Sequence, residues 1–465
     1  MQINALKSVY FLGIGGAGMS ALARYFNLLG AKVSGYDRTP TTLTDQLISE
    51  GIEIHFEDNI KLIPAHPEVV IYTPAIPTDN REYNYFLKKQ VPLMKRAEIL
   101  GLVCSNYKTI AVAGTHGKTT TSTLITHLLR SARIDHLSFL GGISKNYGTN
   151  FLESKSTIKQ NNHFQQPVYC IVEADEYDKS FLQLSPYIAV ITSADADHLD
   201  IYENHEALKK TFAEFTGRIV DQGSLILKKG TDIQPIRKNF YYNYGYALNS
   251  EATFYAKNIR TKDELIHFDF VTPTDTIQNV TLGVPGMFNL ENAIAALAVA
   301  YLVGLDKVHL QKALRTYQGV QRRFEFRVRS KDMVYIDDYA HHPEELKACI
   351  NAARELYPGK RLTGIFQPHL FSRTRDMADA FATSLDLLDE LYLLDIYPAR
   401  EKPIEGVTAQ MILDRMKLKN KQRISKQDVI ETLGKHPPEI LLTLGAGDID
   451  QLVKPITELF SGSEL

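Results

Sequence analysis

The hexapeptide Gly114-Thr115-His116-Gly117-Lys118-Thr119 holds the residue types that a triphosphate requires. Glycines let several backbone N–H groups converge on one anion, and a helix opening behind them adds the favourable end of its dipole. Lys118 supplies charge for the outer phosphates, and the Thr119 hydroxyl suits Mg2+. The usual phosphate loop has a further glycine two residues before Gly114, where this chain has Val112, so the hexapeptide read alone also fits a plain turn.

Further clusters carry chemistry. Glu173 follows an apolar run and opens Glu173-Ala174-Asp175-Glu176-Tyr177-Asp178, where a carboxylate suits a divalent cation and a solvated turn is the alternative. Asp195-Ala196-Asp197-His198-Leu199-Asp200 ends another apolar run. Histidine is an unusual Mg2+ ligand, so by itself His198 reads as a capping or internally satisfied residue. Gly13-Ile14-Gly15-Gly16-Ala17-Gly18 matches the glycine fingerprint of a diphosphate-binding turn, with Asp37 about 20 residues beyond it. That spacing fits a dinucleotide and the diphosphate of a UDP-sugar equally. Later in the chain, Asp337-Asp338-Tyr339-Ala340-His341-His342-Pro343 and Gln367-Pro368-His369-Leu370-Phe371-Ser372-Arg373-Thr374-Arg375 each stand at a strand-to-helix junction. Arg373 and Arg375 suit a carboxylate or phosphate, while the histidines also read as helix caps.

These residues need rigid elements behind them. Ser8 to Leu12 reads as a short buried strand running into the first glycine turn, with helical spacing over Met19 to Leu29 and further strands at Lys32 to Tyr36 and Val69 to Tyr72. Thr109 to Ala113 predicts the strand before Gly114, and Thr120 to Arg130 the helix after it. Val168 to Val172 and Ile188 to Thr192 have the continuous apolar character of buried parallel strands. Glu153 to Gln166 reads as a surface loop and Pro285 to Val303 as a helix. Runs at Val334 to Ile336, Leu362 to Phe366, Leu391 to Leu394 and Ile440 to Leu444, alternating with helical segments such as Pro343 to Leu356, predict a last parallel α/β unit. The basic run Lys417 to Lys426 reads as a solvated helix face.

The 465 residues exceed one ordinary core, and about 150 residues per domain suggests three. With 52 Lys and Arg against 54 Asp and Glu, the net charge of -2 offers no footprint for nucleic acid or a membrane surface. Three cysteines without zinc spacing argue against a disulfide framework and fit a cytoplasmic protein. The apolar run Val9 to Ala23 imitates a secretory signal, but the glycines from Gly13 to Gly18 would weaken such a helix.

Together the motifs resemble the Mur ligases of bacterial cell-wall synthesis, over nearly the whole chain. The resemblance rests on Gly13 to Ser20, Gly114 to Thr120, Glu173 to Asp178, Asp197-His198, Phe288-Asn289-x-x-Asn292, Arg322-Arg323-Phe324-Glu325, Asp338 to Pro343 and Gly445-Ala446-Gly447-Asp448. The turn Gly13 to Ser20 is similar to the alanine-adding branch, whereas the branch that recycles muropeptides has a cysteine there. The resemblance implies an α/β fold of three domains: a Rossmann-like UDP-sugar domain over 1–106, a central P-loop ATPase-like domain over 107–320 and a Rossmann-like C-terminal α/β domain for the amino acid over 321–465.

It further implies ATP with Mg2+, or Mn2+ in its place, and UDP-N-acetylmuramate and L-alanine as the partners joined, in a cytoplasmic monomer or homodimer. Gly114, Thr115, His116, Gly117, Lys118, Thr119 and Thr120 would hold phosphates, and Thr119, Glu173 and His198 the metal. Asn289 and Asn292 match the adenine side, while Arg323 and Asp338 match positions that reach ATP from the last domain. Gly15, Gly16, Ala17, Gly18, Asp37, Thr73 and Asn150 fall to the UDP-sugar, and Tyr339, His341, His369 and Arg373 to the amino acid. Lys118, His198, Arg323 and His341 would form the catalytic set. Phe288 and Leu370 stand where many members have histidine and arginine, and Phe212 where later members carry a carbamylated lysine, a modification not expected here. The implied reaction passes through an acyl phosphate shielded from water by closure of the last domain. A nicotinamide oxidoreductase built on Gly13 to Gly18 leaves Lys118 unexplained, and a regulatory ATP-binding module predicts binding without turnover.

Overall fold

The computed structural model describes residues 3–64, 66–154, 168–195, 202, 204–399 and 401–461. Its strands form three sheets among the described residues. The chain gathers into two compact units, one of Met1–Gly283 with Leu290–Gln318 and one of Val284–Asn289 with Gly319–Leu465. Among the described residues no helix is long and apolar enough to cross a membrane.

The first unit contains two of the sheets. β1 (Ser8–Leu12), β2 (Lys32–Tyr36), β3 (Glu53–His55), β4 (Val69–Tyr72) and β5 (Leu93–Lys95) pair in the order β3-β2-β1-β4-β5, all parallel. That is a Rossmann-type order, in which strand order reverses at β1 and opens a crevice at the carboxyl ends of β1 and β4. Val9 and Phe11 on one face and Tyr10 and Leu12 on the other are fully buried, as a sheet covered on both faces requires.

The second sheet runs β15-β14-β13-β12-β11-β10-β6-β9-β7-β8. Its centre is β10 (Ile188–Ile191), β6 (Lys108–Ala113) and β9 (Tyr169–Glu173), which pair in parallel. β7 (His136–Phe139) and β8 (Phe151–Glu153) close one side. β11 (Gly223–Lys228) and β12 (Tyr241–Ala247) continue the other, which ends in the antiparallel β13 (Phe254–Lys262), β14 (Leu265–Val271) and β15 (Thr276–Leu282). Cys104 and Cys170, remote in sequence, meet here as buried free thiols with sulfurs 3.5 Å apart.

In the second unit β16 (Glu325–Arg329), β17 (Val334–Asp338), β18 (Leu362–Phe366), β19 (Glu390–Leu393), β20 (Lys421–Arg423) and β21 (Ile440–Leu444) pair in the order β16-β17-β21-β18-β19-β20. Only the β16–β17 pair is antiparallel. The α/β alternation predicted three such sheets, and helices start where caps allow. His342 accepts from Glu344 N ahead of Pro343, opening the helix Pro343–Leu356. One expectation fails. Lys417 to Lys426 is no helix face but a loop and the edge strand β20. Leu418 and Ile424 pack inward among cationic neighbours, and charge on an edge strand discourages pairing with other chains. The expected loop Glu153 to Gln166 lies mostly outside the described residues.

Candidate active site

β6 lies between β10 and β9, so the turn after it leaves the carboxyl edge of the sheet with Glu173 on one side and Thr192 and Ser193 on the other. Gly114 and Gly117 take left-handed backbone angles, φ +132° and +81°, which side chains disfavour. A Cβ on Gly117 would also run into Asn292 Oδ1. Thr192 Oγ1 donates to the carbonyls of Ala113 at 3.1 Å and His116 at 2.5 Å. Ser193 Oγ accepts from His116 N at 2.8 Å, and Thr115 Oγ1 from Asp195 N at 3.1 Å. These bonds from Thr192, Ser193 and Thr115 fix the shape of the loop.

Behind it the helix Lys118–Ser131 begins. Lys118 Nζ donates to Gly114 O at 2.7 Å and to both oxygens of Glu176, at 2.8 and 2.9 Å. Burial alone would push the Lys118 ammonium down. The carboxylates of Glu176, Glu173 and Asp175 outweigh burial and hold it above the ordinary lysine range. Tyr202 anchors this counter-ion by donating to Glu176 O at 2.6 Å. Thr119 Oγ1 donates to Glu173 Oε2 at 2.7 Å, and only a glycine at Gly141 leaves that carboxylate room. A hydroxyl and a carboxylate side by side are hard oxygen donors of the kind Mg2+ takes. His198 lies outside the described residues.

At the crevice of the first sheet, the Asp37 carboxylate accepts from Gly15 N at 2.7 Å and Thr39 N at 3.2 Å. A Cβ on Gly13, whose φ is +86°, would stand 2.6 Å from Thr73 Cγ2. Asp37 and Thr73 therefore shape the turn Gly13 to Gly18. Asn150 is turned inward. It is fully buried, donates to Ala17 O at 2.7 Å and Ser20 Oγ at 2.9 Å, and accepts from Arg24. Its amide fastens the helix Ala17–Leu28.

In the second unit, Asp338 accepts from Phe324 N at 2.6 Å and Ala340 N at 2.7 Å. Burial raises its carboxyl to about 6, against the pull of Arg323 and those N–H groups. Arg323 lies 3.7 Å from Glu345 and 5.1 Å from the centre of the Tyr339 ring. Tyr339, His341, His369 and Tyr397 form a row of rings with successive centroids 5.4, 5.9 and 5.8 Å apart. Leu370 bends the chain beside it with φ +73°, ahead of the short helix that carries the half-buried Arg373. Arg375 is exposed and paired with Asp376. Phe288 packs against Phe324 at 5.9 Å, and Asn289 Nδ2 donates to Pro285 O at 2.6 Å.

Family models match along the chain in the same order as the sheets: "Mur ligase family, catalytic domain" over residues 8–108, "Mur ligase middle domain" over 112–300 and "Mur ligase, glutamate ligase domain" over 322–448. The chain belongs to the Mur ligase family. Among its relatives, the UDP-N-acetylmuramate--L-alanine ligase of Parabacteroides distasonis is 47% identical over 99% of this chain and 98% of its own. That of Flavobacterium johnsoniae is 44% identical over 99% of both. A crystal structure of the UDP-N-acetylmuramate-alanine ligase of Thermotoga maritima superposes with a TM-score of 0.82 at 26% identity, covering 98% of this chain and all (100%) of that one.

Within this Mur ligase, sequence reasoning missed residues that the geometry brings forward. Glu176 stands in the acidic run already singled out, yet nothing in the run distinguishes it from its neighbours until the fold sets it on Lys118. Glu345, near Arg323 and His341, is one of many helix-face glutamates in sequence. Arg96 bonds Asp175 at 3.0 Å across the first unit. Its place just after β5, at the carboxyl edge of a parallel sheet, is a signal that reasoning from topology can use.

Proposed function

We propose that this Mur ligase joins L-alanine to the lactyl carboxylate of UDP-N-acetylmuramate at the expense of ATP, giving UDP-N-acetylmuramoyl-L-alanine, ADP and phosphate. The observation that carries the reading is 47% identity, end to end, with a relative bearing that name. A carboxylate resists an amine because its oxygen leaves poorly. Transfer of the γ-phosphoryl group makes that oxygen part of a good leaving group, and the amine then displaces phosphate.

The residues support each requirement. The loop Gly114 to Thr120 cradles the phosphates, and Lys118 exchanges Glu176 for phosphate oxygens as ATP enters. Thr119 and Glu173, with His198, would hold Mg2+, which would neutralise charge on the transferring phosphoryl group. The turn Gly15 to Gly18, with the Gly15 N–H held by Asp37, offers the N–H groups of Ala17 and Gly18 at a helix N-terminus to the diphosphate of the UDP-sugar. Asn289 and Asn292 serve the adenine, Arg323 and Asp338 the nucleotide, and Tyr339, His341, His369 and Arg373 the amino acid. On this reading 1–106, 107–320 and 321–465 act as the UDP-sugar, ATP and amino-acid domains.

The test is phosphate release from ATP with UDP-N-acetylmuramate and a panel of alanine, glycine, serine and larger amino acids. Turnover that needs both co-substrates, highest with L-alanine, is the expected result. Phosphate release indifferent to the amino acid or to the UDP-sugar would overturn the proposal.

A further inference from the structure

The crevice beside the first glycine turn continues as a cleft of about 170 Å3 toward Glu173. Of the described residues lining it, Ala17, Gly18 and Gly141 are small, Glu173 and Asp175 are acidic, and Arg96 alone is cationic. The Arg96 guanidinium presses on the turn so closely that a Cβ on Gly18 would overlap Nη1. Its other side bonds Asp175 Oδ2 at 3.0 Å, two residues beyond the carboxylate that Thr119 meets. Arg96 and Asp175 are 20% and 35% exposed, so this pair faces the cleft rather than a sealed core.

A cleft whose other charged groups are carboxylates repels an anionic substrate unless one cation outweighs them. Resting on the ligase reading, we propose that Arg96 is a substrate-binding residue: its guanidinium leaves Asp175 and takes an oxyanion of the UDP-sugar, at the point where the glycine turn faces the metal-binding side. A planar fork suits either a diphosphate or a carboxylate, and the UDP-sugar carries both. Asp175 is then the partner that the guanidinium gives up when the oxyanion binds.

Steady-state kinetics on the full-length enzyme test this. A charge-assisted hydrogen bond of the usual strength corresponds to about 10- to 100-fold in affinity. Arg96→Ala is expected to raise KM for UDP-N-acetylmuramate by that factor and to leave KM for ATP within about twofold. Arg96→Lys, which keeps the charge and the packing stem, is expected to recover part of the loss. Asp175→Asn separates binding from mere bracing, because releasing the fork must not raise KM for the UDP-sugar. The inference falls if Asp175→Asn raises that KM as Arg96→Ala does, or if both Arg96 variants, folded by circular dichroism, leave it unchanged. Inhibition by UDP distinguishes the two oxyanions: a parallel loss of UDP affinity in Arg96→Ala marks the diphosphate, and unchanged UDP affinity marks the carboxylate. Wild-type enzyme without amino-acid-dependent turnover would sink the ligase reading itself, a result separate from any of these.

Discussion

Lys118 enters its role already charged and already held. Its ammonium is buried against Glu176, so the cost of bringing a lysine into the protein has been met by a carboxylate that phosphate oxygens can replace. Lys118→Met is expected to lower kcat/KM for ATP by about 100-fold or more, as loss of a group aimed at transferring charge does. Glu176→Gln should act differently. With its main carboxylate partner gone, burial pulls the lysine down, so the free enzyme loses the Lys118 proton at lower pH than wild type. The profile of kcat/KM for ATP against pH should then fall earlier on its alkaline side in Glu176→Gln, and coincident profiles would refute this. Asp338 gives the opposite kind of pH dependence. Its folded-state carboxyl titrates near 6, above the ordinary value of 3.8, so the folded chain binds the proton more tightly than the unfolded one. The penalty is absent below the unfolded value, grows as pH rises from about 4 to 6 and is complete above that, reaching about 3 kcal/mol. Relative to Asp338→Asn, wild type should lose stability across that window in urea titrations, and parallel curves would contradict the assignment.

The elements matter because each delivers one group to one strand edge. The turn after β6 depends on glycine at two left-handed positions, and at Gly117 a methyl group would meet both strain and Asn292. Gly117→Ala is expected to destabilise the first unit by about 1–3 kcal/mol and to weaken ATP binding, read by thermal melting with and without nucleotide. The helix Ala17–Leu28 is held by Asn150 through Ala17 O, Ser20 and Arg24. Asn150→Ala leaves these buried groups unmatched, so a loss of about 1–3 kcal/mol with little change in catalysis is expected. A large rise in KM for the UDP-sugar with unaltered melting would instead place Asn150 on the substrate.

At the scale of the molecule, the chain divides into two compact units of unequal size. Separate cores unfold as separate cooperative steps when their coupling is weak, and a ligand stabilises only the core that binds it. Calorimetry is therefore expected to resolve more than one transition. UDP-N-acetylmuramate alone, at about 100 times its Kd, should add about 2.7 kcal/mol to the unit carrying Gly13 to Gly18 and leave the other unmoved. A uniform shift of every transition would argue that the units melt as one.

The amino-acid sequence by itself determined the α/β class and the family, because strands buried on both faces and glycine turns before helices leave local signatures. Its reading of Lys417 to Lys426 failed because cations alternating with Leu418, Asn420 and Gln422 fit an edge strand as well as a helix, and pairing partners decide between them. Only the tertiary structure could set Glu176 on Lys118, turn Asn150 inward and bring Arg96 against Gly18 and Asp175. Arg96 and Asp175 are joined by the packing of two sheets, and nothing along the chain encodes that distance. Which carboxylate of a run faces the lysine, and which polar residue is turned inward, follows from burial and register after the whole sheet has formed.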